Sequence, residues 1–192
     1  MAKSAKGSSF EREICKQLSL WWTDNERDDV FWRTSGSGAR ATTRRKNNIR
    51  TKYEYGDVAF TDPIGQPLMD AFLIELKRGY SNDISILDLL DKSDGLKDTL
   101  LLQWWKKAEE ERGFAERKHS LIIFRRNRRE ACVFMTRCLY NLLADQSGDF
   151  EGSNITWRPA QKVFEKQYFE ILLLKDFLEW ANQESIKNIL LY

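Results

Sequence analysis

Apolar residues recur at three- and four-residue spacing at Phe10, Ile14, Leu18, Trp21 and Trp22, the stripe of an amphipathic helix over residues 8–22. Ser8 followed by Glu11 has capping-box spacing, so the helix is expected to start near Ser8. After the polar turn from Thr23 to Asp29, Val30-Phe31-Trp32-Arg33-Thr34 reads as a short strand, stopped by Ser35-Gly36-Ser37-Gly38. The stretch from there to Tyr53 has no clear period and reads as a loop. Tyr55 to Phe60 reads as a strand, Asp62 to Pro67 as a turn and Leu68 to Lys77 as a buried strand, the two strands forming a hairpin.

Residues 81–112 have helical tendency in two pieces broken near Ser93-Asp94-Gly95, with Leu100, Leu101, Trp104 and Trp105 facing inward and Gly113 ending the second. Ser120 to Phe124 and Ala131 to Met135 are strand candidates joined by the polar turn Arg125-Arg126-Asn127-Arg128-Arg129, and a helix over 136–145 should follow. Beyond the loop-like 146–154, Tyr168 to Leu174 reads as a strand and Lys175 to Gln183 as a helix with Phe177, Leu178 and Trp180 on its apolar side. The order α, three strands, α, two strands, α, strand, α predicts an α/β or α+β fold around a mixed sheet.

At 192 residues the chain suits one domain of ordinary size, and seven Trp with eleven Phe supply core material. No run reaches the roughly 18–20 apolar residues of a membrane span, and the polar N-terminus lacks the apolar stretch of a signal peptide. A location in the cytoplasm is the expectation. Cys15, Cys132 and Cys138 form no CxxC pair and are expected to be reduced, packed thiols.

Charge changes the picture more than composition does. The net charge is only +2, but no acidic residue occurs from Arg33 to Lys52, where Arg33, Arg40, Arg44, Arg45, Lys46, Arg50 and Lys52 are basic. Arg125, Arg126, Arg128 and Arg129 make a second cluster. Both runs are compatible with solvated faces, but two of them flanking candidate catalytic strands favour contact with nucleic acid.

The strand Phe72-Leu73-Ile74-Glu75-Leu76-Lys77 carries the candidate chemistry. Alternation puts Glu75 and Lys77 on one face and Ile74 and Leu76 on the other. Across the expected hairpin, Asp57 would stand beside Glu75. Two carboxylates with the carbonyl of Leu76 and water form a hard oxygen site suited to Mg²⁺, for which Mn²⁺ would substitute. Lys77 would orient or deprotonate a water, or neutralise charge developing on a phosphate. The blander reading is an exposed same-face pair on an edge strand.

The Asp57, Glu75-x-Lys77 pattern resembles the PD-(D/E)xK nuclease superfamily, with Gly56 where the name has proline. Lys6-Gly7-Ser8-Ser9-Phe10-Glu11-Arg12-Glu13 is similar to the KGxxxERE opening of archaeal-type Holliday junction resolvases. Trp32-Arg33-Thr34-Ser35-Gly36-Ser37-Gly38 resembles their arginine strand and Ser/Gly loop. The likeness covers about residues 6–136. It departs in the longer basic insertion between Gly38 and Asp57 and in the unit after Asp145, which bring it closer to the resolvase-like nucleases of bacteriophages.

The resemblance implies a restriction-endonuclease-like αβββαβ core over residues 1–145, with a C-terminal strand-helix extension over 146–192 packed on it. It implies a Mg²⁺-dependent DNA endonuclease with Glu11, Asp57, Glu75 and Lys77 as catalytic residues and a metal held by Asp57, Glu75, Leu76 and Glu11. Arg12, Arg33, Ser35, Ser37, Arg40, Arg44, Arg45 and Lys46 would contact DNA, preferably branched. The cell would be bacterial or phage-infected, and two symmetric cuts in a junction would call for a homodimer, with Phe31, Trp32 or the aromatics of the final unit as its apolar patch. Alternatives stand beside these roles: Glu11 as a capping residue only, Glu13 as solvent-facing or as a substitute for Glu11, and Trp104 and Trp105 as core rather than base-stacking surfaces. His119 is expected to begin a strand, and Gln103 is a candidate to reach the site. A duplex- or sequence-specific repair, restriction or phage DNA-processing nuclease, or a noncatalytic DNA-binding module, are the competing functions.

Overall fold

A computed structural model describes residues 3–34, 55–80, 84, 98–159 and 167–191. The first helix, α1 (Lys3–Trp22), buries Phe10, Ile14, Cys15, Leu18 and Trp22 along the stripe read from the sequence. It starts before Ser8, so the expected capping box is not made. The Ser8 hydroxyl instead accepts a hydrogen bond from Arg12 Nη2 at 2.6 Å, and Glu11 pairs with Arg33. Buried Ser19 accepts the Phe31 N–H at 2.8 Å and so fixes α1 to β1 (Phe31–Arg33). Phe31 is therefore core, not the exposed patch residue considered for a dimer, whereas Trp32 on the opposite face is half exposed.

β1 pairs antiparallel with β2 (Val58–Phe60), Arg33 opposite Val58. The chain then departs from the expected hairpin. Asp62 caps a 3-10 turn (Pro63–Gly65) and Pro67 sits in the first turn of a short helix, α2 (Gln66–Ala71), so Leu68 to Ala71 are helical rather than extended. Proline suits a first helical turn, where its missing N–H leaves no intrahelical bond unmade. Only from Phe72 does β3 (Phe72–Arg78) begin, and it pairs in parallel with β4 (His119–Arg125), not with β2.

The crossover between β3 and β4 contains α3 (Leu100–Ala115), capped by Thr99 and closed by Glu116 in a left-handed conformation, three residues beyond the expected stop at Gly113. β5 (Ala131–Thr136) and α4 (Arg137–Ser147) follow as expected, as does the start of β4 at His119. The final unit shares the main sheet: β7 (Phe169–Leu173) lies against β5, and β6 (Asn154–Trp157) lies outside β7. The expected helix to Gln183 is two helices, α5 (Leu174–Trp180) and α6 (Gln183–Ile189), the second capped by Asn182.

The main sheet runs β3-β4-β5-β7-β6, with β3 parallel to β4 and the other pairs antiparallel. This mixed sheet and its αβββαβ beginning, with α2 inserted, agree with a restriction-endonuclease-like α+β fold. One core lies between the sheet and α1, α2, α4, α5 and α6, and takes in Ile74 and Leu76. The second lies between the sheet and α3; it takes in Leu73, Trp104 and Trp105, so both tryptophans are core residues. Alternation along β3 thus directs Glu75 and Lys77 to the α3 side of an edge strand.

Candidate active site

The edge of β3 away from β4 is where Asp57 meets Glu75 and Lys77. Gly56 and Asp57 cross it just before β2: the Asp57 N–H donates to the Ile74 carbonyl at 2.9 Å, and the Leu76 N–H donates to Asp57 Oδ2 at 2.8 Å. Asp57 is therefore held by the backbone of β3, a firmer attachment than the cross-strand side-chain pairing expected of a hairpin. Thr34 supports the crossing from β1 by donating its N–H to the Asp57 carbonyl at 3.1 Å and its hydroxyl to the Gly56 carbonyl at 2.8 Å.

Gly56 has φ +76°, and a Cβ there would lie 2.9 Å from the Ile74 carbonyl oxygen. Glycine is required twice over, by the backbone and by the close approach of two main chains. Gly56→Ala is expected to lose about 1–3 kcal/mol of stability and to displace Asp57. Chemical denaturation with a cleavage assay on the same sample checks both effects.

Lys77 closes the cluster. Its ammonium contacts Glu75 Oε2 directly and lies 3.7 Å from Asp57 Oδ2. Glu75 and Asp57 are both buried, at 3% and 8% exposure. Burial, then the charge of Glu75, raises the Asp57 carboxyl to about 6 against the pull of Lys77 and the Leu76 N–H. Burial alone would lower Lys77, but the charges of Glu75 and Asp57 outweigh it and the ammonium is held above the usual lysine range.

This donor set fits a divalent cation. Asp57 and Glu75 are both desolvated and converge on the same Lys77 ammonium, so carboxylate oxygens stand close together where a hard cation would be favoured. A strand residue directs its N–H and C=O to the same side, so the Leu76 carbonyl faces the Asp57 edge too. Among the described residues no group of three or more His, Cys, Asp or Glu side chains is placed to hold an ion.

Glu11 stands at the margin. Its Oε2 is 3.3 Å from Arg33 Nη1, and its charge reaches Asp57 only as the weakest influence on that carboxyl. Arg12 turns back to the Ser8 carbonyl and hydroxyl on α1. Glu13 is not simply solvent-facing: both its oxygens accept from Arg125 at 2.6 Å, and the Arg125 guanidinium lies 4.7 Å from the Phe10 ring. Arg125 is thereby removed from the exposed basic turn, in which Arg126, Arg128 and Arg129 remain. Ser35, Ser37, Arg40, Arg44, Arg45 and Lys46 lie outside the described residues.

Gln103, a candidate to reach the site, instead donates its amide to the Asp98 carbonyl at 2.6 Å. The residues that reach Glu75 are one and two turns further on. Lys107 Nζ lies 3.9 Å from Glu75 Oε1 and 3.2 Å from Glu111 Oε1, and the Glu111 carboxyl is raised by burial and then by the Glu75 charge. Residues 103, 107 and 111 form one stripe at four-residue spacing, the signal by which the pair was detectable.

The geometry thus presents two buried acids and a lysine at a strand edge, an arrangement able to bind a cation and a phosphate together. Comparison with curated proteins and with solved structures yields no match. A model of a protein family, described as "Phage putative PDDEXK endonuclease", matches residues 2–190 and so takes in the final strands and helices as well as the acidic edge. The chain belongs to this phage PDDEXK endonuclease family.

Proposed function

We propose that the protein is a Mg²⁺-dependent endonuclease that hydrolyses phosphodiester bonds in DNA, with Asp57, Glu75 and Lys77 as its catalytic residues. The observation that carries this reading is the anchoring of Asp57 on the Leu76 N–H, beside Glu75 and Lys77. Asp57, Glu75 and the Leu76 carbonyl would hold the ion, which when bound polarises the scissile phosphate and acidifies a water. Lys77, kept cationic by its neighbours, suits orientation of the water and neutralisation of charge at phosphorus better than removal of a proton. Glu11 keeps Arg33 near the site for a phosphate, and Arg12 and the 35–46 segment, with Ser35, Ser37, Arg40, Arg44, Arg45 and Lys46, supply further backbone contacts.

The preferred substrate in this reading is branched DNA, above all a four-way junction, cut by a homodimer. The support is the likeness of the Glu11, Arg33 and Asp57 elements to the resolvases; half-exposed Trp32 is available to a partner. The test is light scattering for mass, then cleavage of linear duplex, flap, splayed-arm and four-way DNA labelled on each strand in turn. A dimer making paired nicks in the junction is expected. A monomer at cleavage-competent concentration, or equal rates on junction and duplex, would leave a general DNA endonuclease.

Binding should weaken steeply with salt, since each phosphate neutralised adds about 0.9 to the slope of log K against log salt. Neutralising Arg44, Arg45 and Lys46 together should flatten that slope by about two to three. Filter binding or anisotropy between 50 and 200 mM salt, roughly the range over which such contacts are read, checks this; an unchanged slope removes the three residues from the interface.

A further inference from the structure

Glu75 has a second set of partners that the catalytic scheme above does not use. Its Oε2 goes to Lys77, while its Oε1 faces α3, where Lys107 Nζ lies 3.9 Å away. Lys107 in turn bridges to Glu111 Oε1 at 3.2 Å. A four-residue bridge on a helix is more favourable with the acid preceding the base, and here the lysine precedes. Burial and the Glu75 charge both raise the Glu111 carboxyl, so its ionised form also costs stability. Helix stabilisation therefore gives a poor account of the pair, whereas arrangements that sacrifice stability beside buried acids are typical of active sites.

We propose that Lys107 and Glu111 are positioning residues for Glu75: Lys107 holds Oε1 and fixes the plane of the carboxylate toward Asp57, and Glu111 holds Lys107 in place while adding negative charge behind the cation site. The inference rests on the nuclease reading above. The two members act on a bound cation with opposite sign. Removing Lys107 takes a repelling charge from the site and frees Glu75 to rotate, so a cation binds more tightly while cleavage at saturating cation slows. Removing the Glu111 charge weakens cation binding and leaves the Lys77 side intact.

The experiment is calorimetric titration of Mn²⁺ and of Ca²⁺ into the full chain and into Lys107→Met, Lys107→Arg and Glu111→Gln, with cleavage of a labelled DNA in saturating Mn²⁺ as the second readout. A partly screened unit charge at this range changes a dissociation constant by about tenfold. Lys107→Met should tighten Mn²⁺ by about that factor and lower the saturated rate by about tenfold or more, Lys107→Arg should restore most of the rate, and Glu111→Gln should weaken Mn²⁺ by about tenfold. Folded variants that all bind Mn²⁺ within twofold of wild type and cleave at its rate would overturn the inference while the nuclease reading stands. A wild-type chain that neither binds the cation nor cleaves would overturn both.

Discussion

Asp57→Asn, Glu75→Gln and Lys77→Met should each lower DNA cleavage by about 10²–10⁴-fold while DNA binding survives. The acids are replaced by isosteres, so the Leu76 N–H still finds an acceptor at position 57, and what is lost is charge rather than shape. Binding is expected to hold or to tighten in the two acid variants, because two carboxylates that repel phosphate are reduced to one. Lys77→Met is the harsher change, since it leaves Asp57 and Glu75 without the ammonium that both approach. Circular dichroism must therefore accompany its assay. Cleavage and anisotropy measured on the same preparations check the set, and wild-type turnover in any folded member would remove that residue from the site.

The same Asp57→Asn substitution should make the protein more stable, and only above a defined pH. The Asp57 carboxyl is raised to about 6 in the fold, first by burial and then by Glu75. A group raised in the folded state favours folding while protonated, and that contribution is lost as pH rises through the folded value. Below about pH 4, where the carboxyl is protonated in both states, wild type and variant should differ little. Above pH 6 the wild type must hold a desolvated carboxylate against Glu75, and the amide escapes this, for a gain of about 1–3 kcal/mol at pH 8. In a chain of this size that is a rise in Tm of about 3–10 °C. Thermal melts from pH 4 to 8 without divalent ions read it directly. Mg²⁺ should narrow the gap by stabilising only the wild type. A variant less stable than wild type at pH 8 would mean that Asp57 contributes to the fold through its charge and is not strained by it.

The candidate site was legible wherever the signal was local. Alternation from Leu73 to Lys77 put Glu75 and Lys77 on one face, and the structure agrees because Ile74 and Leu76, which flank Glu75, are core residues of the opposite layer. The helix carrying Phe10 to Trp22 was legible for the same reason. Misreadings occurred where a partner is remote in sequence or a run is short. Leu68 to Ala71 are too few to show a helical period, and continued strand was the natural reading until Pro67 is weighed as a first-turn residue. The partner of β3 is β4, reached through a long crossover that no local pattern announces. Glu13 found Arg125, 112 positions away. Along α3 the stripe containing Gln103 was correctly aimed, but which of its turns stands opposite Glu75 depends on how the helix lies on the sheet. β6 escaped because an edge strand of Asn, Ile, Thr and Trp needs little apolar content. The last helix was readable from the Asn182 cap with Glu184 in its first turn.

The central claim is that the β3 edge hydrolyses DNA with a divalent cation held by Asp57 and Glu75. Its most direct test is end-labelled four-way DNA incubated with wild-type protein and with Asp57→Asn, each in Mg²⁺ and each with excess chelator, resolved by denaturing electrophoresis. Cleavage by wild type in Mg²⁺, with none in chelator and none by the variant in either condition, is the predicted result. Cleavage that persists in chelator, or that Asp57→Asn carries out at the wild-type rate, would contradict it.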